Sequence, residues 1–170
     1  NLAPHRRGYA GGAPLMPRTG SPAGTLALAI PTLLLAGAYI SQYGFGLYPC
    51  EMCWWQRWPH FIAVGFALLA TVAPPRRLWL ALTALAILVS GLIGLFHAGV
   101  EYDWWEGITG CAVRGIETGG SALDNVLATP ITRCDEAPFV FILSLAGWNA
   151  LFSIGGALLV WRLLGQERAR

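Results

Sequence analysis

Four cysteines give this chain its clearest capacity for chemistry: Cys50, Cys53, Cys111 and Cys134. Cys50 and Cys53 form a C-x-x-C motif, in which the two thiols are close enough to oxidise to each other. The thiolate is the reactive form of cysteine, and a helix N-terminus or a nearby cation lowers its pKa. An even number of cysteines, grouped two and two along the chain, predicts two thiol–disulfide pairs.

Polar side chains follow the C-x-x-C motif into a long apolar run. Arg57 lies one helical turn beyond Cys53, with Gln56 and His60 close to it in sequence. A charge inside an apolar span is costly, so such a residue is a functional candidate by default. Arg57 could hold a thiolate or hydrogen-bond a carbonyl oxygen of a bound ligand. The alternative is that Arg57 is an anchor whose charged head reaches the membrane surface.

The composition indicates an integral membrane protein. Of the 170 residues, 55% are hydrophobic and 12% are charged, and the mean hydropathy is +0.54, whereas a soluble domain would carry about a quarter charged residues. There is no lysine and no dense basic cluster, so a nucleic-acid partner is not expected. The sequence predicts a single all-α domain, a bundle of four transmembrane helices. The predicted spans cover residues 23–42, 54–73, 78–97 and 139–164.

The charges predict the topology. Arginines precede the first span, separate the second from the third, and end the fourth, and arginine-rich short segments stay cytoplasmic. We therefore expect both termini inside, with cytoplasmic tails at residues 1–22 and 165–170. The loops 43–53 and 98–138 then lie outside. Against this stands the interpretation of the first span as a cleaved leader, because Ala36-Gly37-Ala38 near its end resembles a cleavage site.

All four cysteines fall on the predicted outer side, where disulfides persist. The loop 98–138 holds Cys111 and Cys134 and is long enough to bring this pair over the other one. Within it, the segment from Ser121 to Ala128 is predicted to form a short helix. Thiols at a membrane surface can be oxidised only if an electron acceptor is available to them. The natural acceptor within the bilayer is a quinone, for which the protein supplies orientation and charge.

Two stretches carry a family resemblance: QYGFGLYPCEMCWWQRWPH around the C-x-x-C motif, and HAGVEYDWW after the third span. With the four spans and the second cysteine pair, they resemble the DsbB family over residues 26–162. Members of this family are bacterial inner-membrane enzymes that reoxidise the periplasmic thiol oxidase DsbA. The interval from Cys111 to Cys134 is shorter than in the better-known members, and His60 after Trp58-Pro59 is typical of a subset.

The resemblance implies a role for each site residue. Cys50 and Cys53 would be the quinone-coupled pair, with Cys53 the thiolate that touches the quinone ring. Arg57 would stabilise that thiolate or a quinone oxygen, and His97 matches a position near the quinone.

Cys111 and Cys134 would face the substrate, as the resemblance further implies. Cys111 would form the mixed disulfide with a soluble, thioredoxin-fold DsbA-like partner, and Cys134 would pass oxidising equivalents on through a transient bond to Cys50. Ubiquinone is the implied acceptor, with menaquinone as the second choice. The implied location is the bacterial inner membrane, with the cysteine loops in the periplasm.

Three other interpretations stay open. The cysteines could be structural disulfides of a non-catalytic membrane scaffold that binds a partner. They could form a zinc site, although only one pair has the close spacing that zinc sites use, so no metal is expected. A reductase of the vitamin K epoxide reductase type would also couple thiols to quinones, but its C-x-x-C lies on the last helix of the bundle, whereas here the motif opens the second span.

Overall fold

Four helices make up most of the structure. The computed structural model describes residues 21–108, 112–113, 131–132, 134, 139–140 and 142–169. The helices are α1 (Pro22–Gly44), α2 (Glu51–Val72), α3 (Arg76–Glu101) and α4 (Leu145–Ala169). The predictions for residues 1–20, for Cys111 and for a helix from Ser121 to Ala128 lie outside the described residues. The predicted all-helical fold class is confirmed for the described residues, most of which lie in the four helices.

The helices pack as a ring in chain order. α3 packs along α2 and α4, and α1 closes the ring by packing against α2 and α4, with few contacts to α3. The described interhelix connections, α1 to α2 and α2 to α3, are short, which places neighbouring helices antiparallel. Every helix therefore contributes residues to both ends of the bundle.

Small residues set the distance between α3 and α4. A Cβ added at Gly91 would come within 2.9 Å of Ser153 Cβ, and one at Gly94 would come within 2.9 Å of Asn149 Nδ2. These glycines allow close contact between the two helices. Their second effect is to leave room for polar side chains between the two helices.

Three of the described helices, α1, α3 and α4, are long and apolar enough to cross a membrane. α2 has 22 residues, a length of about 33 Å at the usual helical rise. It is less apolar because Gln56, Arg57 and His60 lie within it. The helix predicted for the second span is therefore present, and its crossing of the membrane remains a prediction.

The helix ends differ from the predicted span limits. α2 begins at Glu51, so Cys53 lies inside the helix and not in the preceding loop. α3 continues to Glu101, one turn beyond His97. α4 begins at Leu145 instead of residue 139, because β3 (Phe139–Val140) pairs antiparallel with β4 (Leu143–Ser144). Upstream, β1 (Ala112–Val113) pairs antiparallel with β2 (Ile131–Thr132), which brings together the two sides of the long loop.

Candidate thiol redox site

The start of α2 positions the C-x-x-C motif. Cys50 is the N-cap of this helix, and its sulfur accepts a hydrogen bond from the backbone N–H of Cys53 at 3.4 Å. Cys50 and Cys53 are free thiols whose sulfurs are 3.1 Å apart. Serine, threonine, asparagine and aspartate are the usual N-caps. A cysteine in this position places its own sulfur at the end of the helix.

The two sulfurs lie ahead of the predicted second span, and their environments differ. The Cys50 thiol donates a hydrogen bond to the sulfur of Cys53. This bond raises the pKa of Cys50, and burial raises it further. The same bond lowers the pKa of Cys53, with a smaller contribution from the positive charge of Arg57, although burial acts in the opposite direction. Cys53 is therefore the thiol that ionises first.

Cys134 lies beside this pair. Its sulfur, the sulfur of Cys50 and a ring nitrogen of His97 all lie within 4.8 Å of one another. Its backbone carbonyl is 3.2 Å from His97 Nε2. The structure thus brings together three of the four predicted cysteines and His97. A soft metal such as zinc could use the same three donor groups, but exchange between Cys50 and Cys134 needs only the sulfurs.

Arg57 is buried between α1 and α2 and is only 6% exposed. Its guanidinium donates to Gln42 Oε1 at 2.6 Å and to the carbonyl of Ala38 at 3.2 Å. The rings of Tyr39 and Trp54 lie 4.9 and 5.1 Å from its central carbon. A snorkelling arginine would carry its charge to the surface, whereas this one is fixed inside the bundle by α1.

His97 lies on the inner face of α3, 2% exposed. Its Nε2 is 3.6 Å from the sulfur of Cys50 and 3.7 Å from Glu101 Oε1, and its Nδ1 is 2.8 Å from Gln56 Nε2. The side chain of Glu101 is itself 2% exposed. This buried carboxyl group is a site residue that the sequence analysis missed, because the predicted span ended at residue 97.

A cavity of about 240 Å³ opens next to Cys53. Its polar lining includes Arg57, His60, His97 and Asn149, and the remainder is mostly apolar side chains of α1 and α4. A mostly apolar pocket with a few polar groups is typical of a small-molecule site. A larger cavity, about 650 Å³, lies at the other end of the bundle and has no cysteine in its lining.

The fold and the site define a helical membrane protein with two neighbouring thiols at the start of its second helix. A family model described as disulfide bond formation protein DsbB matches residues 21–163, so the chain belongs to the DsbB family. This family membership gives the protein a role in disulfide bond formation and supports its being a multi-pass membrane protein.

Named relatives agree with the family. The chain is 30% identical to disulfide bond formation protein B of Marinobacter nauticus, over 70% of this chain and 76% of that protein. It is 28% identical to disulfide bond formation protein B 2 of Pseudomonas fluorescens, over 83% and 82%. It is 42% identical to disulfide bond formation protein B of Verminephrobacter eiseniae, over 47% and 45%. No solved structure matches the chain significantly.

Proposed function

We propose that this protein is a thiol:quinone oxidoreductase of the bacterial inner membrane. It takes electrons from a reduced DsbA-like thiol protein in the periplasm and passes them through Cys111 and Cys134, then through Cys50 and Cys53, to ubiquinone. The observation that carries the proposal is the meeting of three cysteine sulfurs beside a cavity lined by Arg57 and His97.

The residues around the cavity fit a quinone. A quinone has a flat ring with two carbonyl oxygens and a long apolar tail. The guanidinium of Arg57 can donate hydrogen bonds to a carbonyl oxygen, with His97 in the same lining, and the leucines of α1 and α4 can contact the tail. Cys53 lies in the same lining, so its sulfur can approach the ring.

The exchange steps need no oxidant beyond the disulfide of Cys50 and Cys53. The thiolate of Cys134 attacks the sulfur of Cys50; the bond between Cys134 and Cys50 forms, and Cys53 leaves as a thiolate. The thiolate of Cys111 then attacks Cys134, so that the bond between Cys111 and Cys134 forms and Cys50 leaves as a thiolate. Each step moves one negative charge between sulfurs and releases no proton.

The resulting thiolate of Cys53 is held by its surroundings until the pair is reoxidised. Cys50 takes up a proton from solvent, and its thiol and the charge of Arg57 then both favour the Cys53 anion. A bound quinone supplies the capacity to accept two electrons and two protons. The Cys50–Cys53 disulfide then forms again, which completes the cycle.

The test uses the purified chain in detergent, a reduced DsbA-like protein and a short-tail ubiquinone followed by its ultraviolet absorbance. We expect catalytic loss of the absorbance in the wild-type protein and none in Cys53→Ser or Cys111→Ser, each with unchanged helical circular dichroism. Menaquinone in place of ubiquinone tests the choice of acceptor. A quinone that stays oxidised, with cysteines that resist a mild reductant, would favour the disulfide-stapled scaffold instead.

A further inference from the structure

A row of polar side chains, all buried except the half-buried Asn149, crosses the bundle next to the thiols. It links α2, α3 and α4 and consists of Gln56, His60, Ser90, His97, Asn149 and Ser153. A buried polar group without a partner is costly, so each member is expected to bond in one defined direction. The contacts fix these directions.

Two backbone carbonyls orient the two amide side chains. A carbonyl oxygen can only accept, so the nitrogen of each amide must face it. Gln56 Nε2 is 3.2 Å from the carbonyl of Met52, and Asn149 Nδ2 is 3.3 Å from the carbonyl of Ser90. Asn149 Nδ2 also donates to Gln56 Oε1 at 2.8 Å. Turning either amide over would oppose two oxygens or two N–H groups.

The orientation of Gln56 decides where the hydrogen of His97 is. Gln56 has two N–H groups, one for Met52 and one for His97 Nδ1 at 2.8 Å. Nδ1 of His97 must therefore be the accepting, unprotonated nitrogen, and a neutral ring carries its hydrogen on Nε2. That N–H faces the sulfur of Cys50 at 3.6 Å, the carbonyl of Cys134 at 3.2 Å and Glu101 Oε1 at 3.7 Å.

We propose that Gln56, held by Asn149, is a positioning residue that keeps His97 as a neutral N–H donor toward the sulfur of Cys50. This inference rests on the proposed thiol-exchange function. His97 then stabilises Cys50 when it leaves as a thiolate in the second exchange step. With its Nε2 already protonated, His97 does not take the proton of Cys50.

The direct test is the tautomer of His97 in the full-length protein in detergent, by ¹⁵N-histidine NMR at about pH 8, where a free imidazole is neutral. The chain has three histidines, and the His97→Asn variant identifies the signals of His97. We expect a protonated Nε2 and a bare Nδ1 in the wild type, and a mixture of tautomers in Gln56→Met. A protonated Nδ1 in the wild type would overturn the inference without any variant.

The kinetic test is a single turnover that involves no quinone. The protein is oxidised, freed of quinone and mixed with an excess of the reduced DsbA-like protein, and the reduction of the Cys50–Cys53 disulfide is timed. Loss of a hydrogen bond to a charged group predicts a transfer roughly tenfold slower in Gln56→Met. Ser153→Ala is the matched control: its hydroxyl donates to Asn149 Oδ1 at 3.0 Å, away from the amide nitrogen that holds Gln56, and its rate should stay within about twofold.

The outcomes separate the two proposals. Equal transfer rates in Gln56→Met and wild type would refute the positioning role and leave the thiol:quinone function standing. Absence of transfer in the wild type would refute the proposed function, whereas the NMR result would still report the tautomer of His97.

Discussion

At the end of the bundle that holds Cys50, many buried side chains are polar or reactive, whereas alanine, leucine and valine fill the opposite end. The apolar end packs Ala23, Ala27, Ala70, Leu80, Ala84, Val160 and Leu164 into one cluster. The thiol end instead buries Arg57, His97 and Gln56 between the same four helices. The larger of the two cavities described above lies at the apolar end and the smaller at the thiol end. In this fold, cavity size does not mark the site; the density of buried polar groups does.

Two arginines, the buried Arg57 at the thiol end and the exposed Arg77 at the other end, provide the strongest test of this contrast. Arg57→Ala removes a buried cation from the thiol end and should raise the apparent KM for ubiquinone by about tenfold or more, as expected for loss of a charged hydrogen bond. Arg77→Ala removes a cation that bonds the carbonyl of Leu164 at the other end, and it should leave this KM unchanged. Steady-state ubiquinone reduction measures both. Equal KM values in Arg57→Ala and wild type would show that Arg57 is only a structural anchor and does not contact the quinone.

Glycine substitutions sharpen the contrast at the level of packing. Gly94→Ala should lower kcat several-fold and reduce the Tm, because the added Cβ meets Asn149 Nδ2 at 2.9 Å and Gln56 Oε1 at 3.0 Å and such overpacking costs about 1–3 kcal/mol. Gly65→Ala has no atom within 4 Å of the new Cβ and should be neutral or slightly stabilising. Thermal unfolding and turnover of the two variants measure the expected changes in Tm and kcat. A Gly94→Ala protein with wild-type kcat would show that the polar row tolerates displacement.

The pH dependence of alkylation tests the asymmetry within the thiol pair. Because the Cys50 thiol lowers the pKa of Cys53, Cys53 should react with iodoacetamide at a lower pH than a free cysteine, whose pKa is about 8.5. Cys50→Ala removes the donor, so the midpoint of the pH–rate curve for Cys53 should rise. Mass spectrometry of the labelled peptide gives the midpoint. A midpoint that stays in place or falls would contradict this account of the pair.

The smallest effect on the chemistry is expected from the apolar end. Leu80 is 1% exposed there, and Leu80→Ala should lower the free energy of unfolding by about 2–5 kcal/mol. The KM for ubiquinone of the folded fraction should not change, because α3 holds His97 at its other end. Denaturation combined with kinetics at low temperature separates stability from activity. A large change in KM would mean that the two ends of the bundle are coupled.

Much of the fold follows from hydropathy, and the core of the site follows from residue spacing. Long apolar runs predicted the four helices, and the spacing of Cys53 and Arg57 predicted their common helix. The start of α4 was predicted too early. The apolar run from residue 139 to 144 is compatible with a β-hairpin as well as with a helix, and hydropathy alone does not distinguish the two.

Other parts of the site depend on the register between helices. Gln42 and Asn149 become site residues only because α1 and α4 bring them opposite α2, which a single sequence does not reveal. Asn149 and Ser153, one turn apart in an apolar run, were the available signal for a polar face on the last helix. The sequence places Gln56 close to the C-x-x-C motif, but its bond to His97 depends on how α2 and α3 pack.

The bond from His97 to the second loop reaches the main chain of Cys134, not its side chain. A backbone carbonyl is present whatever residues surround the cysteine. Under the proposed function, the loop can therefore change its sequence to suit different soluble partners and still bond to His97 at the same point. Recognition of the partner and capture of the loop are in this way separate tasks, open to independent evolutionary change.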